Sequence, residues 1–177
     1  MGAGNQQERL IQLGWVIGFV DGEGCFSIGF VHQPHRSGRR GYKTGYQVSH
    51  EFAVTQGARS ASCLRELVRF FGVGGVVANR RHDNHKEHLF RYAVRRRTDL
   101  INTIIPFFEQ HPMHSAKQGD FEKFARCLRM IETGVHRTHA GLADLAEITE
   151  TMNRQKPRTE LIRILRDHTP EVQDTGS

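Results

Sequence analysis

The apolar residues of this chain change period in a set order, and that order constrains the fold more than any single motif does. Over residues 8–20, Leu10, Ile11, Leu13, Val16, Ile17 and Val20 recur at helical spacing. From Cys25 to Gln33 the period drops to two. Phe26, Ile28 and Phe30 point one way, and Ser27, Gly29, Val31 and Gln33 the other. His35–Gly45 is rich in Gly and Arg and predicts a basic loop. Tyr46–Gln56 alternates again, with Tyr46, Val48, His50, Phe52 and Val54 set against Gln47, Ser49, Glu51, Ala53 and Thr55. Arg59–Phe71 returns to a helical period, and Gly72, Gly74 and Gly75 stop it. Val76–Arg81 and Leu89–Arg95 predict a second hairpin. Thr98–Glu109 predicts a helix capped by Thr98 and kinked or cut short at Pro106. Asp120–Glu132, His139–Asn153 and Arg158–Asp167 predict three more helices, followed by a frayed tail over 169–177.

The order is α+β. An αββαββα core over about residues 8–135 carries extra C-terminal helices over about 138–168, in one domain spanning 1–177. The eleven Phe residues fit a packed interior on the apolar side of the sheet. The opposite face is predicted to carry Ser27, Gln33, Gln47, Ser49, Glu51, Asn79, Arg81, Arg91 and Arg95. These polar and basic side chains suit the reading of base edges. A formal charge of +6 and a pI near 9.6 point the same way, toward a polyanionic partner. The loop residues His32, His35, Arg36, Arg39, Arg40 and Lys43 are predicted phosphate contacts, and Asn153–Arg158 can add backbone contacts.

Other chemistries find less support. Cys25, Cys63 and Cys127 are scattered, with no metal-ligand spacing, which fits free thiols in a reducing compartment. No signal pattern or membrane-length apolar run is present, so the expected protein is soluble and intracellular with no membrane partner. His82-Asp83-Asn84-His85 with His88 looks like a metal cluster, but its place at a hairpin tip is explained by polar turn residues.

The most unusual segment is Leu13-Gly14-Trp15-Val16-Ile17-Gly18-Phe19-Val20-Asp21-Gly22-Glu23-Gly24. Gly14 and Gly18 lie at i and i+4, each costing about 1 kcal/mol of helix propensity against alanine. Two on one stripe predict the close approach of another backbone. The acids Asp21 and Glu23 oppose the helix macrodipole, so a cation or backbone hydrogen bonds should compensate nearby.

Val16–Gly24 resembles the nine-residue signature of the LAGLIDADG homing endonucleases. Gly18, Phe19, Val20, Asp21, Glu23 and Gly24 match it, while Val16 and Ile17 depart from the Leu-Ala of the pattern. The following Cys-Phe-Ser-Ile resembles the strand that leaves the motif. Glu51-Phe52-Ala53-Val54-Thr55-Gln56 is similar to the second-strand segment, and Phe70-Phe71-Gly72-Val73-Gly74 to the turn before the third strand. Ile105-Pro106-Phe107-Phe108 and Ser115-Ala116-Lys117-Gln118-Gly119-Asp120-Phe121 resemble the segment with a pocket lysine. The likeness runs over about residues 10–155.

That resemblance implies a saddle-shaped antiparallel sheet as the DNA-binding face, with catalytic residues Glu23, Gln56 and Lys117. Glu23 and the Gly22 carbonyl are the implied ligands of a divalent cation, Mg²⁺. Gln56 is implied to order solvent and Lys117 to support transition-state charge, with Arg59 a weaker basic candidate. Gly14, Gly18 and Asp21 fall at the implied seam between two copies. Asp21 is expected to satisfy backbone groups rather than to bind metal.

Only one motif is found. His139–Glu147 imitates its start, then has Ala146 where the second acid belongs and lacks the closing glycine. A single copy implies a homodimer and a roughly palindromic double-stranded DNA target. The implied activity is site-specific double-strand cleavage, intron-encoded, in a bacterial cytoplasm or an organelle (chloroplast or mitochondrion) of the host. Two other classes stay open: a DNA-binding regulator without cleavage, and a maturase acting on host intron RNA.

Overall fold

The computed structural model describes residues 3–33, 41–79, 88–153 and 157–168. Helix α1 (Ala3–Glu23) leads directly into β1 (Gly24–His32), and β2 (Tyr46–Gly57) returns beside it. A 3₁₀ turn, Ala58–Ser60, opens α2 (Ala61–Phe71), followed by β3 (Gly75–Asn79) and β4 (Leu89–Val94). A helical run then passes from α3 (Arg97–Asp99) through a π segment, Leu100–Ile104, into α4 (Ile105–Gln110). Helices α5 (Lys117–Glu132), α6 (His139–Glu150) and α7 (Thr159–Asp167) complete the order. The predicted αββαββα core with C-terminal helices is the architecture observed.

All four strands form one antiparallel sheet in the order β1-β2-β4-β3. The alternation read from the sequence sets its two faces. Phe26, Ile28, Phe52, Val54, Tyr92 and Val94 are buried on the helix side. Phe26 is the hub of that core, packing against Phe52 of the neighbouring strand, Phe108 of α4, and Phe121 and Phe124 of α5. Burying an aromatic of this size stabilises the fold by about 1.5–3 kcal/mol. Tyr92 joins the same core and donates its hydroxyl to the Val73 carbonyl at 2.9 Å, which satisfies its polar end.

Helix α2 buries Ala61, Leu64, Leu67 and Phe71 on one stripe. It stops at Gly72, whose φ of 67° is left-handed and whose N–H closes onto the Val68 carbonyl. The helical run after β4 departs from its predicted form. Thr98 lies inside the first turn rather than capping it; Arg96 is the cap residue. Pro106 does not end the helix. A proline lacks the N–H for its upstream carbonyl and its ring crowds that turn, and the wider π turn at Leu100–Ile104 lies immediately upstream of it.

The free edge of β1 is met by Asn153, just after α6, and Arg158, just before α7. Asn153 donates its side-chain amide to the Phe26 carbonyl at 2.9 Å, and the Arg158 guanidinium donates to the Ile28 carbonyl at 3.1 Å. Arg158 also lies 5.1 Å from the Phe30 ring centroid. These contacts satisfy edge carbonyls that would otherwise be open for pairing. Asn153 and Arg158, predicted as possible nucleic-acid contacts, are therefore engaged with the sheet edge. The sequence's second near-motif is the amphipathic helix α6. Leu142, Ala143, Leu145 and Ala146 are buried, and Gly141 sits so close to Val135 that a Cβ would fall 2.1 Å from its carbonyl oxygen.

Candidate nuclease site at the end of α1

The site forms where α1 stops against β1. Gly24 makes that junction possible, because a Cβ there would lie 2.6 Å from both the Val20 carbonyl oxygen and its Cγ1. The final glycine of the motif is thus fixed by a helix turning at once into a strand. The misplaced negative charge of the helix end is compensated as its chemistry requires. Lys117, the first residue of α5, reaches back and donates from Nζ to the Val20 and Gly22 carbonyls at 3.1 and 3.0 Å. An ammonium thus covers the carbonyls that a helix C-terminus leaves open.

Asp21 makes a second tie to the same loop. Its carboxylate accepts from the His114 N–H at 3.0 Å, from the Ser115 N–H at 3.1 Å, and from the Ser115 hydroxyl. The Ser115 hydroxyl oxygen in turn accepts from the Lys117 N–H at 3.2 Å. Burial works against the charged carboxylate. The Ser115 hydroxyl, the two backbone N–H groups and nearby Lys117 outweigh it and hold the Asp21 carboxyl below its ordinary range. Burial lowers Lys117, opposed by the carboxylates of Asp21, Glu23 and Asp120 and by Cys25.

Glu23 is exposed one residue beyond Gly22, and no such tether holds it among the described residues. Gln56 is half-buried near the end of β2, two residues past the Gly24–Val54 pair that marks the α1 junction. Lys117 and Glu23 are therefore brought to one corner, and Gln56 to the same end of the sheet. Ser115 was not singled out from the sequence as a functional residue. Its signal was present only as part of the lysine-bearing segment. Among the described residues, no group of three or more His, Cys, Asp and Glu side chains gathers into a metal cluster. One chain offers a metal the Glu23 carboxylate and the Gly22 carbonyl, the latter already accepting from Lys117.

The predicted dimer residues separate into two groups. Gly14 and Gly18 are exposed, and a Cβ at either would meet nothing within 4 Å. They lie on a stripe with Leu10, Ile11 and Trp15, exposed at 61%, 65% and 36%. Asp21 is instead occupied within its own chain by the 114–115 loop.

The outward face of the sheet carries Ser27, Gln47, Ser49, Glu51, Thr55 and Arg91, as the register requires. Ser49 is exposed opposite Gly29, where a Cβ would lie 2.6 Å from the Ser49 hydroxyl. Gln33 follows β1 and closes the base of the β1–β2 connection by donating its N–H to the Gly45 carbonyl at 2.7 Å, and Lys43 is exposed in that connection. Arg95 lies just past β4 rather than within it, and Asn79 closes β3 opposite Leu89. Arg36, Arg39, Arg40, Arg81 and the His82–His85 cluster lie outside the described residues, as does His35. Glu51, predicted as a base-reading side chain, is engaged on this face. Its carboxylate pairs with Arg91 and with Arg95, whose Nε is 2.5 Å away. Among the described residues, no helix is long and apolar enough to cross a membrane.

These features have close counterparts in known proteins. Residues 16–128 match the family model described as LAGLIDADG endonuclease. A "Probable intron-encoded endonuclease 2" of Neurospora crassa is 29% identical over 138 residues, which cover 78% of this chain and 26% of that protein. The chain thus spans about a quarter of the length of the curated relatives it matches. The crystal structure of the homing endonuclease I-TnaI superposes with a TM-score of 0.70 at 39% identity, over 88% of this chain and 96% of that one. I-LtrWI, a LAGLIDADG homing endonuclease solved bound to target DNA, gives a TM-score of 0.70 at 27% identity, over 83% of this chain and 46% of that one. The helix that ends in Asp21-Gly22-Glu23-Gly24, the four-stranded sheet it feeds and the matched span together place this chain in the LAGLIDADG endonuclease family.

Proposed function

We propose that this protein is a homing endonuclease that makes a double-strand break in a long, roughly palindromic DNA site, acting as a homodimer through divalent-metal-dependent hydrolysis. The observation that carries this reading is the corner at the end of α1. There an exposed carboxylate, Glu23, stands beside an ammonium, Lys117, that is fixed by two carbonyls.

The residues fit a hard cation of the Mg²⁺ type. Glu23 and the Gly22 carbonyl would supply oxygen ligands, and such an ion would take the rest of its ligands from water and phosphate. When bound, the cation polarises the scissile phosphate and lowers the pKa of an attacking water. The chain's own groups supply the rest. Lys117 has three N–H donors and spends two on α1, leaving one for charge that develops on the phosphate. Because α5 and the Asp21–Ser115 tie hold it, that donor needs little reorganisation. Gln56 orders solvent at the same end of the sheet. The outward face supplies base and phosphate contacts, in keeping with I-LtrWI, which was solved bound to its target DNA.

One such corner cuts one strand, so a break needs two. The exposed stripe of Leu10, Ile11, Gly14, Trp15 and Gly18 is the face on which a second copy would seat. In keeping with that, the chain matches nearly all of I-TnaI but about half of I-LtrWI. The intron-based names of the curated relatives favour a gene carried within an intron, with the protein working in the compartment of that intron's host. A plasmid carrying the matching intronless site tests the reading. With Mg²⁺ the protein linearises it, and Glu23→Gln binds the site without cutting. Cutting by Glu23→Gln at the wild-type rate overturns the assignment.

A further inference from the structure

Glu51 is the only carboxylate in the four strands, and it sits on the face that carries Arg91. Its side chain is 13% exposed, and its two oxygens are divided between two arginines, Oε1 to Arg91 and Oε2 to Arg95. The register shows how this is possible. Arg91 is opposite Thr55, so to reach Glu51 its side chain must run along the sheet over the Ala53–Ala93 pair. Two alanines leave that track open. Ala53 is on the outward face yet only 1% exposed, as expected beneath an overlying side chain. The Arg91 Nε is buried with no partner among the described residues, so this guanidinium is fixed at its end by the carboxylate and along its stem by the sheet. Arg95 meets the same carboxylate through Nε, and its side chain is 63% exposed.

We infer that Glu51 is a specificity-determining positioning residue, which holds Arg91 and Arg95 so that their remaining donors meet matching base edges rather than any nearby phosphate. The inference rests on the proposed DNA-binding function of the sheet. Two physical effects carry it. A fixed guanidinium loses less freedom on making a bidentate base contact. A carboxylate between two arginines also lowers the local positive charge that drives sequence-independent binding.

The test is selection of bound duplexes from a randomised pool in EDTA, followed by measured affinities for single-base variants and for scrambled DNA. The proteins are wild type, Glu51→Gln, Arg91→Ala, the double variant and Glu132→Gln. Glu132 pairs with Arg97 away from this face, so its variant makes the same charge change elsewhere. Glu51→Gln is expected to bind scrambled DNA about threefold tighter. It should lose about tenfold discrimination at the base pairs that Arg91→Ala also degrades. The double variant should be no worse than Arg91→Ala at those pairs, because Glu51 acts through Arg91. Glu132→Gln should keep the wild-type preferences. Unchanged preferences in Glu51→Gln overturn the inference while leaving DNA binding intact, and so does an equal loss in Glu132→Gln. Failure of the wild type to enrich any sequence instead refutes the DNA reading itself. Circular dichroism melts of each variant separate a loss of preference from a loss of fold.

Discussion

Replacing Asp21 by Asn removes a charge that the fold uses, and the size of the effect follows from its partners. The carboxylate accepts from the His114 N–H, the Ser115 N–H and the Ser115 hydroxyl, tying residues more than ninety positions apart. Hydrogen bonds to a charged group contribute about 1.5–3 kcal/mol each when well shielded. This site is partly open to solvent, and asparagine keeps one acceptor oxygen, so the net loss is about 1–2 kcal/mol. For a chain of this size that lowers the melting temperature by about 2–8 °C. The loss depends on pH. The folded Asp21 carboxyl titrates below its unfolded value, so its contribution is complete above about pH 4 and fades as pH falls through the folded value. Paired calorimetric or denaturant melts at pH 7 and pH 3 measure this, and the gap between wild type and Asp21→Asn should narrow in acid. A variant that melts with the wild type at pH 7, or whose deficit is equally large at pH 3, refutes the tether.

Other predictions follow from the same contacts. Lys117→Met removes both bonds to the α1 carbonyls and the remaining donor, so single-turnover cleavage should fall about 100-fold, the scale of a lost oxyanion donor, while site binding persists in gel shifts. Gly18→Leu should not lower the melting temperature of the monomer, since a Cβ there meets nothing within 4 Å and leucine is the better helix former, yet it should shift the mass seen by light scattering from dimer to monomer. Gly24→Ala should destabilise by about 1–3 kcal/mol in urea titrations, because its Cβ would press on the Val20 carbonyl. Tyr92→Phe should cost about 1 kcal/mol, since the Val73 carbonyl loses its buried donor.

Local pattern carried most of the fold. The period-two stretches around Phe26 and Phe52 specify which side chains go inward, and the placement of Ser27, Ser49 and Arg91 outward follows from parity alone. The glycine at position 24 was legible as the close of the signature, and the acidic helix end as a charge in need of a partner. What was not legible depends on pairing across distance. Nothing near Asp21 names Ser115 as its partner, and nothing near Glu51 shows that β4 will bring Arg91 and Arg95 to it. The same limit explains Asn153 and Arg158, whose polar side chains suit nucleic acid as well as they suit the carbonyls of a strand edge. The π turn before Pro106 is a local matter that proline's usual effect on helices concealed, since widening the turn absorbs what would otherwise be a break.

In the proposed mechanism each chain contributes one Glu23-bearing corner to a two-fold assembly, and each corner cuts one strand. Heterodimers of wild type and Glu23→Gln, purified through different tags on the two chains, test it on supercoiled plasmid bearing the target. Wild-type dimers should give linear product, Glu23→Gln dimers none, and heterodimers nicked circles, with the intact strand opposite the substituted corner. Linear product from the heterodimer at the wild-type rate, or cutting by a protein that stays monomeric on its site, would rule out one Glu23 corner per strand.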